Sequence, residues 1–104
     1  MSTDPEDPGQ VLRNWIAGHG WNQKILAEVM GRPAQWVSEV CSGKKSITVL
    51  SASELAAAFD NTPGFWLAMQ DRYRLWVLAQ NKPHNRRLAE IRERAEALGR
   101  RDAG

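Results

Sequence analysis

The sequence predicts an all-α fold, with five helices in a first domain and a helical C-terminal extension. Apolar residues recur at spacings of three and four along most of the 104 residues, 42% of which are hydrophobic. No segment alternates apolar and polar residues as a half-buried strand does. Residues 22–45 add a sharper signal, because they match two short helices joined by a turn at Gly31.

We expect three segments along the chain. Residues 1–8 are an acidic lead-in, which we expect to be disordered because no apolar residue follows Met1 there. Residues 9–81 are expected to form the helix-turn-helix domain with a long fifth helix. Residues 82–104 are expected to form a basic C-terminal helix and tail, with seven Lys or Arg against four Asp or Glu. The formal net charge of +2 permits an acidic partner such as DNA but does not demand one.

The composition argues against several classes of protein. The single Cys41 excludes an internal disulfide and reads as an inert core residue, and no apolar run approaches the ~18 residues of a membrane span. We therefore expect a soluble, cytoplasmic protein. His19 and His84 form no metal-ligand pair, and no phosphate-binding loop or nucleophile elbow is present. We expect no enzymatic activity, no cofactor and no metal.

The first helix is expected to begin near Pro8 and to end at Gly18 and Gly20. Its apolar residues lie on one helical face and form a wall of the core. They are Val11, Leu12, Trp15 and Ile16.

The second helix opens the helix-turn-helix. Asn22 can cap it through its side-chain oxygen, and Ala27 is small where two helix axes must cross closely. Gly31 stands where the chain must turn, a place suited to a positive φ. The expected apolar stripe of this helix is Ile25, Leu26, Val29 and Met30.

The third helix completes the motif. Pro33 suits its opening turn, because the missing N–H would have no partner there. Val37 and Val40 are three residues apart and put one apolar face against the second helix. Gly43 ends the helix.

A fourth helix is expected after a cap at Ser46 or Thr48, and Asp60 and Asn61 break it. Its inward residues are expected to be Leu50, Leu55, Ala58 and Phe59.

Thr62 and Pro63 then follow the cap-then-proline order of a helix start and open a long fifth helix. Asn81–Pro83 ends or kinks it, because proline lacks the N–H and clashes with the preceding turn. This helix carries apolar residues on more than one side, more than a core of this size is expected to cover. They include Phe65, Trp66, Met69, Tyr73 and Trp76.

Residues 86–98 carry a short seam with the spacing of a coiled coil, although it is under two heptads long. The seam consists of Leu88, Ile91, Ala95 and Leu98, and we expect an intrahelical pair between Glu90 and Arg94. The excess apolar surface makes four residues candidates for contact with a second copy or another protein: Trp66, Tyr73, Leu88 and Ile91.

The third helix is the candidate for contact with DNA bases, because a helix fits the major groove and its outward N-terminal residues meet the base edges. Gln35 can pair with adenine through two hydrogen bonds, Ser38 suits either base, and Ala34 can touch a thymine methyl group. Trp36 either joins them in the groove or packs against Trp15 or Trp21, and both readings stay open.

Phosphate contacts are expected on both sides of that helix. Asn22, Gln23 and the N–H groups at the start of the second helix face the phosphates, aided by the positive end of the helix dipole. Lys44 and Lys45 follow the third helix and are positioned for the DNA backbone. Glu39 opposes phosphate, although an acidic residue can also accept from cytosine N4. In the alternative reading, Gln23 and Gln35 are only solvated polar residues.

Eight positions within residues 22–45 share a pattern of small, apolar and polar residues: Gln23, Ala27, Gly31, Val37, Ser38, Val40, Gly43 and Lys44. This pattern resembles the Cro/CI-type helix-turn-helix of phage repressors and XRE-family regulators. A second set follows it in order: Ile47, Thr48, Leu55, Ala56, Phe59, Thr62, Pro63, Phe65, Trp66, Leu67, Gln70 and Tyr73. Together these residues resemble the HigA antitoxin family over roughly residues 9–76.

The resemblance implies a Cro/CI-like fold and the antitoxin of a type II toxin–antitoxin pair. Such a protein forms a homodimer, binds an operator that we expect to be palindromic, represses its own operon, and neutralises a HigB/RelE-like mRNA-cleaving toxin. Arg32, Trp36 and Glu39 depart from the residues usual in the family. Two alternatives stay open: a stand-alone phage-type transcriptional repressor, and a helix-turn-helix-shaped protein-interaction module without DNA binding.

Overall fold

The structure, a computed structural model, describes residues 4–103 and the side chains of residues 4–99. Residues 1–3 of the expected lead-in and residue 104 of the expected tail lie outside the described residues. Six helices follow one another, and the described part of the chain contains no strand: α1 (Pro8–Gly18), α2 (Gln23–Met30), α3 (Ala34–Cys41), α4 (Val49–Phe59), α5 (Pro63–Leu78) and α6 (Lys82–Ala103). This architecture confirms the all-α prediction.

The chain divides into two compact units, one ending at Tyr73 and the other beginning at Arg74. In the first unit, α3 packs against α1 and α2, and α2 packs against α4. The core of this unit is formed by α1 to α4, the loop before α4 and the first turns of α5. Its buried apolar residues are Val11, Leu12, Ile16, Leu26, Ala27, Val37, Val40, Cys41, Ile47, Ala52, Leu55, Ala56, Phe59, Trp66 and Met69.

Short polar side chains cap α1, α2 and α4, whereas α3 has no side-chain cap. The Asn22 side-chain oxygen accepts from the backbone N–H of Ile25 at 2.8 Å. Thr48, not Ser46, caps α4, and it forms a reciprocal capping box with Ser51. The helix starts are therefore encoded locally, in a few residues each.

Two turns depend on backbone conformations that favour glycine. Gly31 has φ 68° and ends α2, as expected, and Gly43 has φ 83° after α3. Pro33 was expected in the first turn of α3. It is instead the N-cap, with φ −61° and ψ 144°, and the helix begins at Ala34. Asp60 ends α4 with φ 56°, a left-handed conformation that Asp tolerates better than most residues.

Three residues expected to face inward are exposed. Ile25 and Val29 are 37% and 51% exposed, because α2 buries the face centred on Leu26 and Ala27. Leu50 is 65% exposed, because the capping box turns Ser51 inward. Adjacent helical positions point about 100° apart, so the burial of one member of a neighbouring pair turns the other away from the core.

Trp66 was an interface candidate, and the structure corrects this prediction. Its side chain is fully buried, and its Nε1–H donates to Asn61 Oδ1 at 2.9 Å. The ring of Trp15 lies 5.8 Å from that of Trp66, 5.6 Å from that of Phe59 and 5.5 Å from that of Phe65, measured between centroids. Trp66 is thus the largest side chain of the core, and its surface is not available to a partner.

The second unit contains the end of α5 and all of α6. α5 ends at Leu78, before the expected break at Asn81–Pro83, and Pro83 lies in the first turn of α6. Asn81 Oδ1 accepts from the N–H of His84 at 2.9 Å. The helix is longer than the predicted seam, and Glu90 pairs with Arg94 at 3.7 Å, as expected. Ile91 and Leu98 of the seam are 43% and 56% exposed. No described helix is long and apolar enough to span a membrane.

The start of α1 lies directly against the end of α3. A Cβ atom on Gly9 would overlap the carbonyl oxygen of Cys41, whereas a Cβ atom on Gly18 would meet nothing within 4 Å. Because the obstacle is backbone, α1 or α3 would have to shift to admit a side chain at Gly9. This close approach was not apparent from the sequence.

We predict that Gly9→Ala lowers the free energy of unfolding by about 1–3 kcal/mol, because it forces α1 away from α3. The matched substitution Gly18→Ala, on the same helix, should raise it by roughly 0.5–1 kcal/mol, because alanine loses less backbone entropy on folding. Urea denaturation of the two full-length variants measures both effects. Equal changes in the two variants would contradict the close approach.

Candidate nucleic-acid interface

One face of α3 is buried and the opposite face is open. Val37, Val40 and Cys41 are 0%, 2% and 2% exposed, so they fix the rotation of the helix about its axis. With α3 held in this way, the side chains of Ala34, Gln35 and Ser38 lie on the surface. The structure therefore brings three of the four residues expected to meet base edges to one open face at the start of α3.

The fourth residue, Trp36, is partly withdrawn from this open face. It is half-buried and packs against the core of the first unit. The Arg32 guanidinium lies over its ring, 4.3 Å from the centroid, and Arg32 Nε also pairs with Glu54 Oε1 at 2.7 Å. Such a cation over an aromatic face is a favourable arrangement. Arg32 and Trp36, both departures from the family pattern, thus form one fixed unit at the start of α3.

Gln35, Glu39 and Lys45 form a chain of polar contacts on the same side of the motif. Gln35 Nε2 donates to Glu39 Oε1 at 2.8 Å, and the other carboxylate oxygen of Glu39 lies 3.5 Å from Lys45 Nζ. The positive charge of Lys45 offsets the negative charge of Glu39 locally. Glu39 therefore does not present an isolated negative charge at this surface.

The residues expected to meet phosphate lie at the start of α2 and after the end of α3. Asn22 uses its side-chain oxygen as the cap of α2, and Gln23 is the first residue of that helix. Beyond α3, the backbone N–H groups of Lys44 and Lys45 both donate to the Glu39 carbonyl, at 2.8 and 3.1 Å. These bonds fix the path of the two lysines after the helix, and both side chains are exposed.

Gln70 has a role that sequence reasoning missed. This residue of α5 is 7% exposed, and its Oε1 accepts from the backbone N–H of Ile47 at 2.8 Å. It thereby ties α5 to the loop that carries Lys44 and Lys45. The sequence offers one signal for this role: a polar side chain directly after the inward Met69. If such a side chain is buried, it requires a hydrogen-bond partner.

Cys41 and His19 are reactive side chains whose surroundings the structure describes. Burial raises the pKa of the Cys41 thiol, although nearby Arg13 partly opposes this, so the thiol stays protonated and is a poor nucleophile. His19 lies among aromatic rings, with its centroid 4.8 Å from that of Trp21 and 5.1 Å from that of Phe59. Among the residues that the structure describes, no cluster of three His, Cys, Asp or Glu could hold a metal ion.

Comparison with known proteins places the chain among regulators and antitoxins. It is 31% identical over 103 residues to an uncharacterised HTH-type transcriptional regulator of Haemophilus influenzae, covering 98% of this chain and 94% of that protein. It is 38% identical over 73 residues to antitoxin HigA-1 of Vibrio cholerae, covering 69% of each. No family model matches the chain.

Solved structures agree with these relatives. An addiction module antidote protein of a HigA family from Coxiella burnetii superposes with a TM-score of 0.74 and 28% identity, over 85% of this chain and 95% of that chain. The antitoxin HigA of Pseudomonas aeruginosa, solved with the higBA promoter, superposes with a TM-score of 0.66 and 26% identity, over 70% and 80% of the two chains.

We predict that Gln70→Ala lowers the free energy of unfolding by about 1–3 kcal/mol, because it leaves the buried N–H of Ile47 without its acceptor. Gln10→Ala is the matched control. Gln10 is an exposed residue of α1 that bonds only across one turn to Asn14, so its loss should cost less than about 0.5 kcal/mol. Chemical denaturation compares the two, and an equal cost would remove the structural role assigned to Gln70.

Proposed function

Because the chain belongs to the family of helix-turn-helix transcriptional regulators that includes the HigA antitoxins, we propose that it is an autoregulatory antitoxin. In this proposal it is a homodimer that binds a palindromic operator ahead of its own operon and represses transcription from it. It also neutralises a HigB/RelE-like mRNA-cleaving toxin.

The open face of α3 is the observation that carries the DNA-binding part of the proposal. Burial of Val37 and Val40 turns Gln35 and Ser38 outward at the N-terminal end of the helix, the part that meets base edges in helix-turn-helix proteins. The relative from Pseudomonas aeruginosa, which shares the fold, was solved with promoter DNA. Both findings support α3 as the helix that enters the major groove.

Direct base contacts come from three side chains in this proposal. Gln35 pairs with adenine through N6 and N7, Ser38 donates to or accepts from either base, and Ala34 contacts a thymine methyl group. Trp36, held by Arg32, borders this face and contributes apolar contact at its edge. Base contacts select the sequence, whereas phosphate contacts set the register of the protein on the duplex.

Phosphate contacts come from Gln23, from the N–H groups at the start of α2 near Asn22, and from Lys44 and Lys45. Few other cations are available to this surface, because Arg32 is engaged with Glu54 and Trp36. Affinity therefore depends on binding by two copies and decreases with salt as counterions are released. In a two-fold dimer the two α3 helices lie about 34 Å apart, one turn of DNA.

Since Trp66 is buried, the remaining candidates for the dimer or toxin interface are Tyr73, Leu88 and Ile91. In the second unit, α6 presents a partly exposed apolar seam whose Leu88 is half-buried and whose Ile91 is exposed. In this proposal the first unit, which holds α1 to α4 and the start of α5, binds DNA, and α6 in the second unit supplies the protein contact. The seam has the spacing of helices that pair with each other.

We predict that Gln35→Ala weakens operator binding by about 1–3 kcal/mol and relaxes the preference at one base pair, because a paired base contact is lost. Lys44→Ala should weaken binding to all duplexes alike and reduce the salt slope by about one, because one phosphate contact is lost. Fluorescence anisotropy on the upstream duplex and on a shuffled duplex, at two salt concentrations, measures both.

Lys82→Ala, a change of the same charge in the second unit, is the control for Lys44→Ala and should leave the salt slope unchanged. Base reading by Gln35 is contradicted if Gln35→Ala loses affinity equally on the upstream and shuffled duplexes.

The toxin-neutralising part is tested by co-expression with the small reading frame adjacent to this gene. We predict that the adjacent product arrests growth when expressed alone, that co-expression of this chain restores growth, and that the two proteins co-purify. A product that is harmless alone and never co-purifies would leave the stand-alone repressor as the function, provided that specific binding to upstream DNA persists.

A further inference from the structure

Glu39 is the one acidic residue on the outer side of α3, and its partners suggest a use for it. The side-chain amide of Gln35 lies one helical turn before Glu39, and its Nε2 donates to Glu39 Oε1 at 2.8 Å. Lys45 Nζ lies 3.5 Å from the other carboxylate oxygen. The carboxylate is therefore held between the amide and the ammonium group.

A glutamine amide has two faces, a carbonyl oxygen that accepts and an NH2 group that donates twice, and rotation about its terminal bond exchanges them. A carboxylate can only accept. The reversed amide would place its carbonyl oxygen against Glu39 Oε1, two acceptors facing each other. The ionised Glu39 therefore selects the orientation in which the NH2 group of Gln35 points toward the carboxylate.

This orientation leaves one N–H of Gln35 and its carbonyl oxygen for another partner. Adenine presents an acceptor, N7, beside a donor, the N6 amino group, in the major groove. The remaining groups of Gln35 complement that pair. We propose that Glu39 is a positioning residue, which orients the amide of Gln35 for adenine while Lys45 offsets its charge near the phosphates. The inference rests on the proposed DNA binding and adds a specificity determinant to it.

Burial favours positioning over direct base reading by Glu39. The side chain of Glu39 is 23% exposed, against 51% for Lys45, and both of its oxygens have partners. Gln35 lies on the exposed surface. A cytosine N4 group would have to reach a carboxylate that is only 23% exposed and share it with Gln35 and Lys45, whereas an adenine edge meets the exposed amide of Gln35 directly.

The test compares base preference among full-length variants. The wild-type chain first selects its preferred duplex from a pool with random central base pairs. We then identify the adenine that Gln35 contacts: its replacement weakens binding by the wild-type chain but not by Gln35→Ala. The readout is a ratio of two dissociation constants: Kd on the duplex in which that A·T pair is replaced, divided by Kd on the selected duplex. It is measured for wild type, Glu39→Ala, Glu39→Gln and the double variant Gln35→Ala/Glu39→Ala.

We expect Glu39→Ala to lower this ratio by about tenfold, within the range that one paired base contact supplies. Glu39→Gln should also lose most of the preference, because an amide can donate as well as accept and no longer selects one orientation of Gln35, while removal of a negative charge tightens binding to all duplexes. The double variant should match Gln35→Ala alone, because Glu39 acts through Gln35. Circular dichroism melting checks that each variant folds, and a purely structural effect of Glu39 would be rescued in this ratio by glutamine, which has nearly the same shape.

Two outcomes overturn the inference while leaving the proposed function intact. In one, Glu39→Ala and Glu39→Gln tighten binding to every duplex by the same factor with unchanged base preference, so Glu39 acts only by charge. In the other, the preference lost in Glu39→Ala is for cytosine, so Glu39 reads a base itself. A wild-type chain that shows no sequence preference would overturn both the inference and the DNA-binding proposal.

Discussion

Burial of one face of α3 is the constraint on which the rest of the structure depends. Val37 and Val40 are almost completely removed from solvent against α1 and α2. Since successive helical residues are rotated by about 100°, this burial determines which side chains face outward, Gln35 and Ser38 among them. The approach of Gly9 to the end of α3 adds a backbone contact to the same packing. Core stability and the orientation of the candidate interface are consequently one property, and a substitution that rotates α3 affects both.

The charges around α3 are arranged in pairs. Arg32 is engaged with Glu54 and lies over Trp36, and Lys45 lies beside Glu39. Pairs of this kind on an exposed surface contribute little to stability, since water and salt screen them. Their effect is better described as positional: each fixes a side chain that borders the open face. A surface of this composition attracts DNA weakly through net charge, and the proposed binding therefore depends on specific contacts and on the proposed dimer.

Much of the fold follows from local signals, whereas the environment of individual faces does not. The cap at Asn22 and the turn at Gly31 are recognisable because each depends on one residue and its immediate neighbours. Leu50 and Trp66 were assigned to the wrong side, because neighbouring apolar residues on a helix give no information about which element will cover them. The structural role of Gln70 was not predicted, although the residue is part of the family pattern, because its bond joins it to a residue 23 positions earlier in the chain. The pairing of Glu39 with Lys45 and of Arg32 with Glu54 likewise could not be predicted from the sequence, because it depends on the folded positions of these side chains.

In the proposed complex, the outward face of α3 meets DNA bases. The most direct measurement is an NMR titration of the isotopically labelled full-length chain with the duplex from upstream of its own gene, with a shuffled duplex as reference. The proposal predicts that the upstream duplex alone produces saturable shifts in the side-chain amide of Gln35 and the backbone amide of Ser38, while both duplexes perturb Lys44. Identical shifts with the two duplexes, or perturbations confined to residues 82–99, would contradict it.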